Sequence, residues 1–182
     1  MRRMPLCGRL PFHLFLWIGS MTICSCASAR VEAVRRNLAS HDRITRLLVV
    51  IVDDESKDAD LMRASIHGPL EAKRIDHQVI AISRPSRAPS VDAAIVAFAP
   101  QAILRITPTA TIRSPRGARQ EIRYDASLFP AGDTERRIWR ARLVHRAGAL
   151  VDVGETGISH RMDLLARQLV DQLIADRVIG PS

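Results

Sequence analysis

The sequence contains few cysteines, and all of them lie close to its start. Cys7, Cys24 and Cys26 are the only three cysteines in 182 residues, so the chain has no thiol from residue 27 onwards. This distribution excludes a disulfide framework and a thiolate-bound metal from most of the chain. The same distribution still allows a lipid to be attached to a cysteine near the N-terminus.

A hydrophobic run long enough to cross a membrane is also missing. The longest apolar stretch, Leu10 to Ile23, has 14 residues and contains Pro11 and His13, whereas a membrane-spanning helix needs about 20 residues. Three arginines precede this stretch and small residues follow it. This order is typical of an export signal, which we assign to residues 1–29.

Two cleavage sites are consistent with this signal. Ala27-Ser28-Ala29 fits the A-x-A pattern, and cleavage after Ala29 would release a chain into the periplasm. Alternatively, Ile23 to Cys26 resembles the lipobox of bacterial lipoproteins, although Cys24 departs from the family's pattern. That resemblance implies cleavage before Cys26, a lipid on Cys26 and a position at the periplasmic face of the outer membrane. A third possibility is that the segment stays uncleaved as an anchor.

The charged residues are mostly arginines, and positive charge is in excess. The chain has 27 basic and 19 acidic residues, and Lys57 and Lys73 are its only lysines. An excess of positive charge favours anionic partners, and a guanidinium group can donate two parallel hydrogen bonds to a carboxylate or a phosphate. Only 4% of the residues are aromatic, and none of them lies between the arginines on the polar face of the predicted strands. We therefore expect no nucleic-acid partner.

The body of the chain predicts an α/β fold in one domain over residues 46–182, preceded by a tether or a short helix over residues 30–45. A β-branched apolar run at 47–52 is typical of a strand buried on both faces. Helix and strand patterns then alternate up to Pro100, as in parallel βαβ units. After Pro100, alternating apolar and polar residues predict three antiparallel strands, and an amphipathic helix follows near 159–178. The predicted order is βαβαβββα around a single mixed sheet.

Five arginines are predicted to share the polar face of the three antiparallel strands. They are Arg105, Arg113, Arg123, Arg140 and Arg142. The anions that match them in an envelope compartment are peptidoglycan carboxylates, lipid head groups or an acidic patch on a protein. The alternative is a solvated face on which arginines pair across strands with Glu121 and Asp125.

Acidic residues follow the first buried strand at Asp53 and Asp54. Residues 49–55 resemble the first strand and acidic cluster of response-regulator receiver domains, which implies a Mg²⁺ site at the end of that strand. The family's pattern does not continue, because the strand at 102–106 has no aspartate and no lysine lies beyond Lys73. The sequence therefore leaves two interpretations of Asp53 and Asp54. Either they solvate a loop and begin the next helix, or they form a site for a divalent ion.

Other catalytic signals are absent from the sequence. The histidines lack the spacings of zinc sites, and no serine lies in a G-x-S-x-G elbow. We therefore predict a non-enzymatic, exported envelope protein without a cofactor. It would act as a binding or assembly accessory, attached to the membrane at Cys26, with an envelope protein or peptidoglycan as its partner. The alternative function is a secreted metal-dependent hydrolase that uses Asp53 and Asp54.

Overall fold

The computed structural model describes residues 29–36, 43–53, 56–83, 89–113, 115, 119–146 and 155–180. Within these ranges the chain forms six strands and three helices. They are β1 (Ala29–Arg36), β2 (Arg46–Asp53), α1 (Ser56–Ala72), β3 (Asp76–Ser83), α2 (Pro89–Phe98), β4 (Ala102–Arg113), β5 (Arg119–Pro130), β6 (Trp139–Arg146) and α3 (Glu155–Ala175).

The described strands form a single mixed sheet in the order β1-β6-β5-β4-β2-β3. Strand β2 lies parallel to β3 and β4, whereas β4, β5, β6 and β1 pair in antiparallel fashion. The α/β class predicted from the sequence is therefore confirmed, with its parallel first half and antiparallel second half.

Strand β1 lies where the sequence predicted a tether or a short helix. It pairs antiparallel with β6, from Ala29 opposite His145 to Arg36 opposite Trp139. The tether or short helix was the wrong prediction for residues 30–36, because their local pattern is weak: a few apolar residues stand among charged ones. The strand is specified instead by the free edge of β6, a partner that lies far along the chain.

One face of the sheet is covered by α1 and α3. Alternate residues of β2, β4, β5 and β6 point into this layer, including Tyr124 and Trp139. The helices contribute apolar side chains such as Met62 and Leu169. Burying a large apolar side chain contributes about 1.5–3 kcal/mol, so this layer is the main source of stability in the described part of the chain.

The opposite face of the sheet is covered only in part. Helix α2 packs against β2 and the start of β4, where Ala94 joins Leu48, Val50 and Ile103 in a smaller apolar cluster. Over β5, β6 and the rest of β4, no helix that the structure describes lies on this side. We call this uncovered surface the open face.

Candidate functional site

The open face consists of four rows of residues that run across β4, β5 and β6. Residues that are directly opposite in antiparallel strands share a face of the sheet. From the α2 side outwards, the rows are Arg105–Ser127–Arg140, Thr107–Asp125–Arg142, Ala110–Arg123–Val144 and Ile112–Glu121–Arg146. The register therefore brings five arginines and two carboxylates together on one surface.

Four of the five arginines singled out in the sequence lie in these rows, and Arg113 does not. The pairing of β4 with β5 is irregular between Pro108 and Ala110, and again between Ile112 and Arg113. Pro108 has no N–H to donate to the ladder, which favours a bulge at this point. The bulge shifts the alternation by one residue, so Arg113 does not share the open face with the other four arginines.

The bulge also corrects the prediction for two apolar residues. Unbroken alternation along this strand would place Ala110 and Ile112 on the core side of the sheet, with Leu104 and Ile106. In the structure they lie opposite Arg123 and Glu121, on the open face, and Ile112 is 41% exposed. An apolar side chain therefore lies at the outer end of the arginine rows.

Glu121 connects two arginines of the open face. Arg146 donates from Nε to Glu121 Oε2 at 2.8 Å, and Arg123 donates from Nε to Oε1 of the same carboxylate. These hydrogen bonds, Arg123's first and Arg146's second, lower the pKa of Glu121 from its usual value. The carboxylate therefore stays ionised at neutral pH and holds both guanidinium groups in place.

Asp125 fixes a third arginine. Arg140 donates from Nε to Asp125 Oδ1 at 2.7 Å, and the Ser127 hydroxyl donates to Oδ2 of the same carboxylate at 3.4 Å. The hydrogen bond to Asp125 raises the pKa of the Arg140 guanidinium above its usual value. Arg140 is therefore permanently charged and held in a defined orientation.

Arg105 and Arg142 lie on either side of this pair, on β4 and β6. Both side chains are exposed, and neither forms an ion pair with a side chain that the structure describes. Arg142 also lies opposite Glu32 of β1, whose side chain is outside the described part of the structure. Exposed guanidinium groups of this kind can bind a partner that carries carboxylates or phosphates.

Arg146 belongs to the site but is not among the five arginines that were predicted from the sequence to share this face. Strand β6 continues to Arg146, and its alternate residues Arg140, Arg142, Val144 and Arg146 share the open face. The spacing of the arginines by two and four residues was the available signal.

The predicted sites at Asp53, Asp54 and Cys26 remain predictions. Asp53 ends β2 opposite Ser83 of β3, but the side chain of Asp53, together with all of Asp54 and Cys26, lies outside the described residues. Elsewhere in the described ranges, no group of three or more His, Cys, Asp or Glu residues is placed to hold a metal ion.

None of the helices that the structure describes combines the length and the apolar character needed to span a membrane.

Comparisons with known proteins give a distant structural likeness and no sequence family. No protein-family model matches the chain, and no curated protein matches its sequence. Among solved structures, it is similar to a PelC dodecamer from Paraburkholderia phytofirmans, with 9% identity and a TM-score of 0.47 over 77% of this chain and 96% of that one.

Two of the other similar structures are lipoproteins. For lipoprotein GNA1162 from Neisseria meningitidis, the identity is 15% and the TM-score 0.42, over 71% of this chain and 99% of that one. For a minor lipoprotein from Acinetobacter baumannii, the identity is 14% and the TM-score 0.39, over 75% of this chain and 98% of that one. At these identities the likeness concerns the fold alone.

Proposed function

We propose that this chain is a bacterial envelope protein, attached to a membrane by a lipid on Cys26, which binds an acidic surface of another envelope protein through its open face. The observation that carries the proposal is the pair of exposed guanidinium groups, Arg105 and Arg142, which flank the Asp125–Arg140 ion pair. Arginine is enriched at protein interfaces, where its planar group binds carboxylates through two hydrogen bonds.

The mixed charge of the open face favours a protein over a polymer or a lipid bilayer. A bilayer or a flexible polymer is attracted by net positive charge and has no need of fixed positions. On the open face, Asp125 and Glu121 hold three of the five arginines in defined orientations. Such fixed charges recognise carboxylates that are fixed in turn, as on a folded protein.

The shape of the surface supports the same partner. Strands in a sheet lie roughly 4.8 Å apart, so the guanidinium groups of β4 and β6 start from backbones about 10 Å apart. The open face extends across three adjacent strands, and no described helix lies over it. A sheet surface of this kind is suited to a second protein surface, whereas small molecules bind in concave pockets.

The order of charged, apolar and small residues at the start of the chain supports the lipid anchor. A lipid on Cys26 would be only three residues from Ala29, the first residue of β1. An extended chain spans at most about 3.6 Å per residue, so the sheet would begin within about 11 Å of the lipidated residue. The partner would then be a protein at or near the membrane surface.

Charge reversal on the open face is the test of this proposal. The mature chain is passed over three immobilised probes: a folded helical bundle with a glutamate-lined surface as a model of an acidic protein surface, purified peptidoglycan, and phosphatidylglycerol vesicles. We expect retention on the acidic bundle that weakens with salt and falls about tenfold in a double variant, Arg105→Glu with Arg142→Glu.

The matched control reverses two arginines on the helices that cover the other face of the sheet, Arg63→Glu on α1 with Arg167→Glu on α3. Both side chains are exposed, and the change in net charge is the same. If the control loses as much retention as the open-face variant, only net charge matters and the proposed site is wrong. Stronger retention on peptidoglycan or on vesicles, lost in the open-face variant alone, would keep the site but reject a protein partner.

A further inference from the structure

Strand β3 forms one edge of the sheet. It is the last strand in the order β1-β6-β5-β4-β2-β3, and among the described strands it pairs with β2 alone. All eight of its residues pair with β2 without a shift in register, so the strand is about 26 Å long. The outer side of such a strand presents a row of backbone N–H and C=O groups to which another strand can bind.

The opposite edge, β1, differs from β3 in charge and regularity. Four of the eight residues of β1 are charged: Arg30, Glu32, Arg35 and Arg36. The register of β1 with β6 also shifts between Ala33 and Arg35. Charged residues and bulges prevent one edge from pairing with another. In β3 the register is unbroken, and residues 78–83 contain neither a charge nor a proline.

The middle of β3 is apolar on both faces of the sheet. Val79 and Ala81 pack against the large core on the α1 side, whereas Ile80 and Ile82 pack against the smaller cluster on the α2 side. All four side chains are only partly buried. A strand added at this edge would cover more of their apolar surface on both faces, which favours binding.

We propose that β3 pairs with β3 of a second copy of this chain, in antiparallel fashion across a two-fold axis. The first residue of the strand decides the direction. Parallel pairing would bring the two Asp76 carboxylates opposite each other, where like charges are destabilising, whereas antiparallel pairing places them at opposite ends. Residues 78–83 carry no charge that would select a different, charged partner, and their apolar side chains match those of a second copy.

The position of Asp76 also decides the register. With Ile80 opposite Ile80 of the second copy, residues 77–83 pair with the same residues of the second copy. Asp76 then stays outside the pairing and keeps its ion pair with Arg46, in which Nε and Oδ2 are 3.2 Å apart. With Val79 at the axis instead, Asp76 would lie opposite Ile82 of the second copy, and its carboxylate would lose water to an apolar neighbour.

This dimer does not depend on the function proposed for the open face. The open face lies on β4, β5 and β6, and β2 separates these strands from β3. The two-fold axis is perpendicular to the sheet, so α1 of both copies lies on one side and α2 on the other. The open faces of both copies are left uncovered and point in the same direction.

Sedimentation equilibrium of the mature chain carrying Cys26→Ser tests the pairing. The substitution removes the site of the proposed lipid and prevents dimers linked through Cys26. We expect the mass of two chains, and a dissociation constant that is at least about tenfold higher in Ile80→Lys, because the axis would bring two ammonium groups together. Leu164→Lys is the matched control, since Leu164 lies on α3 and is 40% exposed.

Cross-linking tests the register without adding a charge. A mature chain with Cys26→Ser contains no other thiol, so a single new cysteine reports on one position. On oxidation with diamide, Ile80→Cys should give a disulfide-linked dimer. Val79→Cys should not, because each copy of residue 79 lies opposite residue 81, and its own counterpart is two residues further along the strand. A disulfide requires Cα atoms within about 7 Å of each other.

Three results would overturn the pairing. The first is a monomer at every concentration of the chain with Cys26→Ser. The second is a dimer that Leu164→Lys weakens as much as Ile80→Lys does. The third is a cross-link in Val79→Cys without one in Ile80→Cys. If circular dichroism shows that Ile80→Lys does not fold, the cross-link decides, and its absence in Ile80→Cys rejects the proposed dimer.

Discussion

Replacing Trp139 with alanine is expected to lower the free energy of unfolding by about 3–5 kcal/mol. Trp139 begins β6 and is 1% exposed. Its Nε1 donates a hydrogen bond of 2.7 Å to Oδ2 of Asp176, whose other oxygen accepts from Gln172 at 2.9 Å. The substitution removes a large side chain from the layer between the sheet and α3, and it takes a donor from a carboxylate that is 3% exposed.

Urea unfolding followed by far-ultraviolet circular dichroism measures this effect. Trp139→Phe keeps much of the buried ring and removes only the donor, so it should cost less, about 1–3 kcal/mol. Leu164→Ala is the control, because Leu164 lies on α3 and is 40% exposed. If Trp139→Ala cost no more than this surface substitution, the position of Trp139 in the core would be wrong.

Protonation of His145 is expected to make the fold less stable as the pH falls below about 6.5. His145 lies on β6 opposite Ile122 and is 5% exposed. Burial, and secondarily the positive charge of Arg161, lower the pKa of His145 from 6.5 to about 4. The unfolded chain therefore binds a proton at a higher pH than the folded chain does. The stability is complete above pH 6.5 and is lost as the pH falls towards 4, by about 2 kcal/mol at pH 5 and about 3 kcal/mol in total.

His145→Leu separates this effect from the titration of the carboxylates, which both proteins share. Free energies of unfolding measured between pH 7 and pH 4.5 should fall more steeply for the wild type than for the variant. Parallel curves for the two proteins would contradict a buried, neutral His145. At pH 7, His145 is neutral in both the folded and the unfolded chain. Its titration therefore adds nothing to the difference in the free energy of unfolding between the wild type and the variant at that pH.

The sequence predicted the elements of the fold where local pattern and tertiary environment agree. The β-branched run at 47–52 has no polar positions, and β2 is buried between β3 and β4 in the sheet. Strand β1 escaped prediction because an edge strand is specified by its neighbour β6, which the local sequence does not reveal. Long-range pairing of this kind is the part of a fold that periodicity cannot show.

The difference between local pattern and long-range pairing also explains which residues of the candidate site could be predicted. Alternation placed Arg105, Arg123, Arg140 and Arg142 on one face because β-strands have a period of two, and it failed for Arg113 because a bulge at Pro108 shifted that period. The bridging of Arg123 and Arg146 by Glu121 depends on the cross-strand register, which was not available from the sequence.

The intact mass of the mature protein, purified from its native host, is the most direct test of the proposed envelope location. We expect a chain that begins at Cys26 and carries the added mass of a diacylglyceryl group. A chain that still begins with Met1 and is recovered from the cytosol would contradict both the lipid anchor and the partner inferred from it.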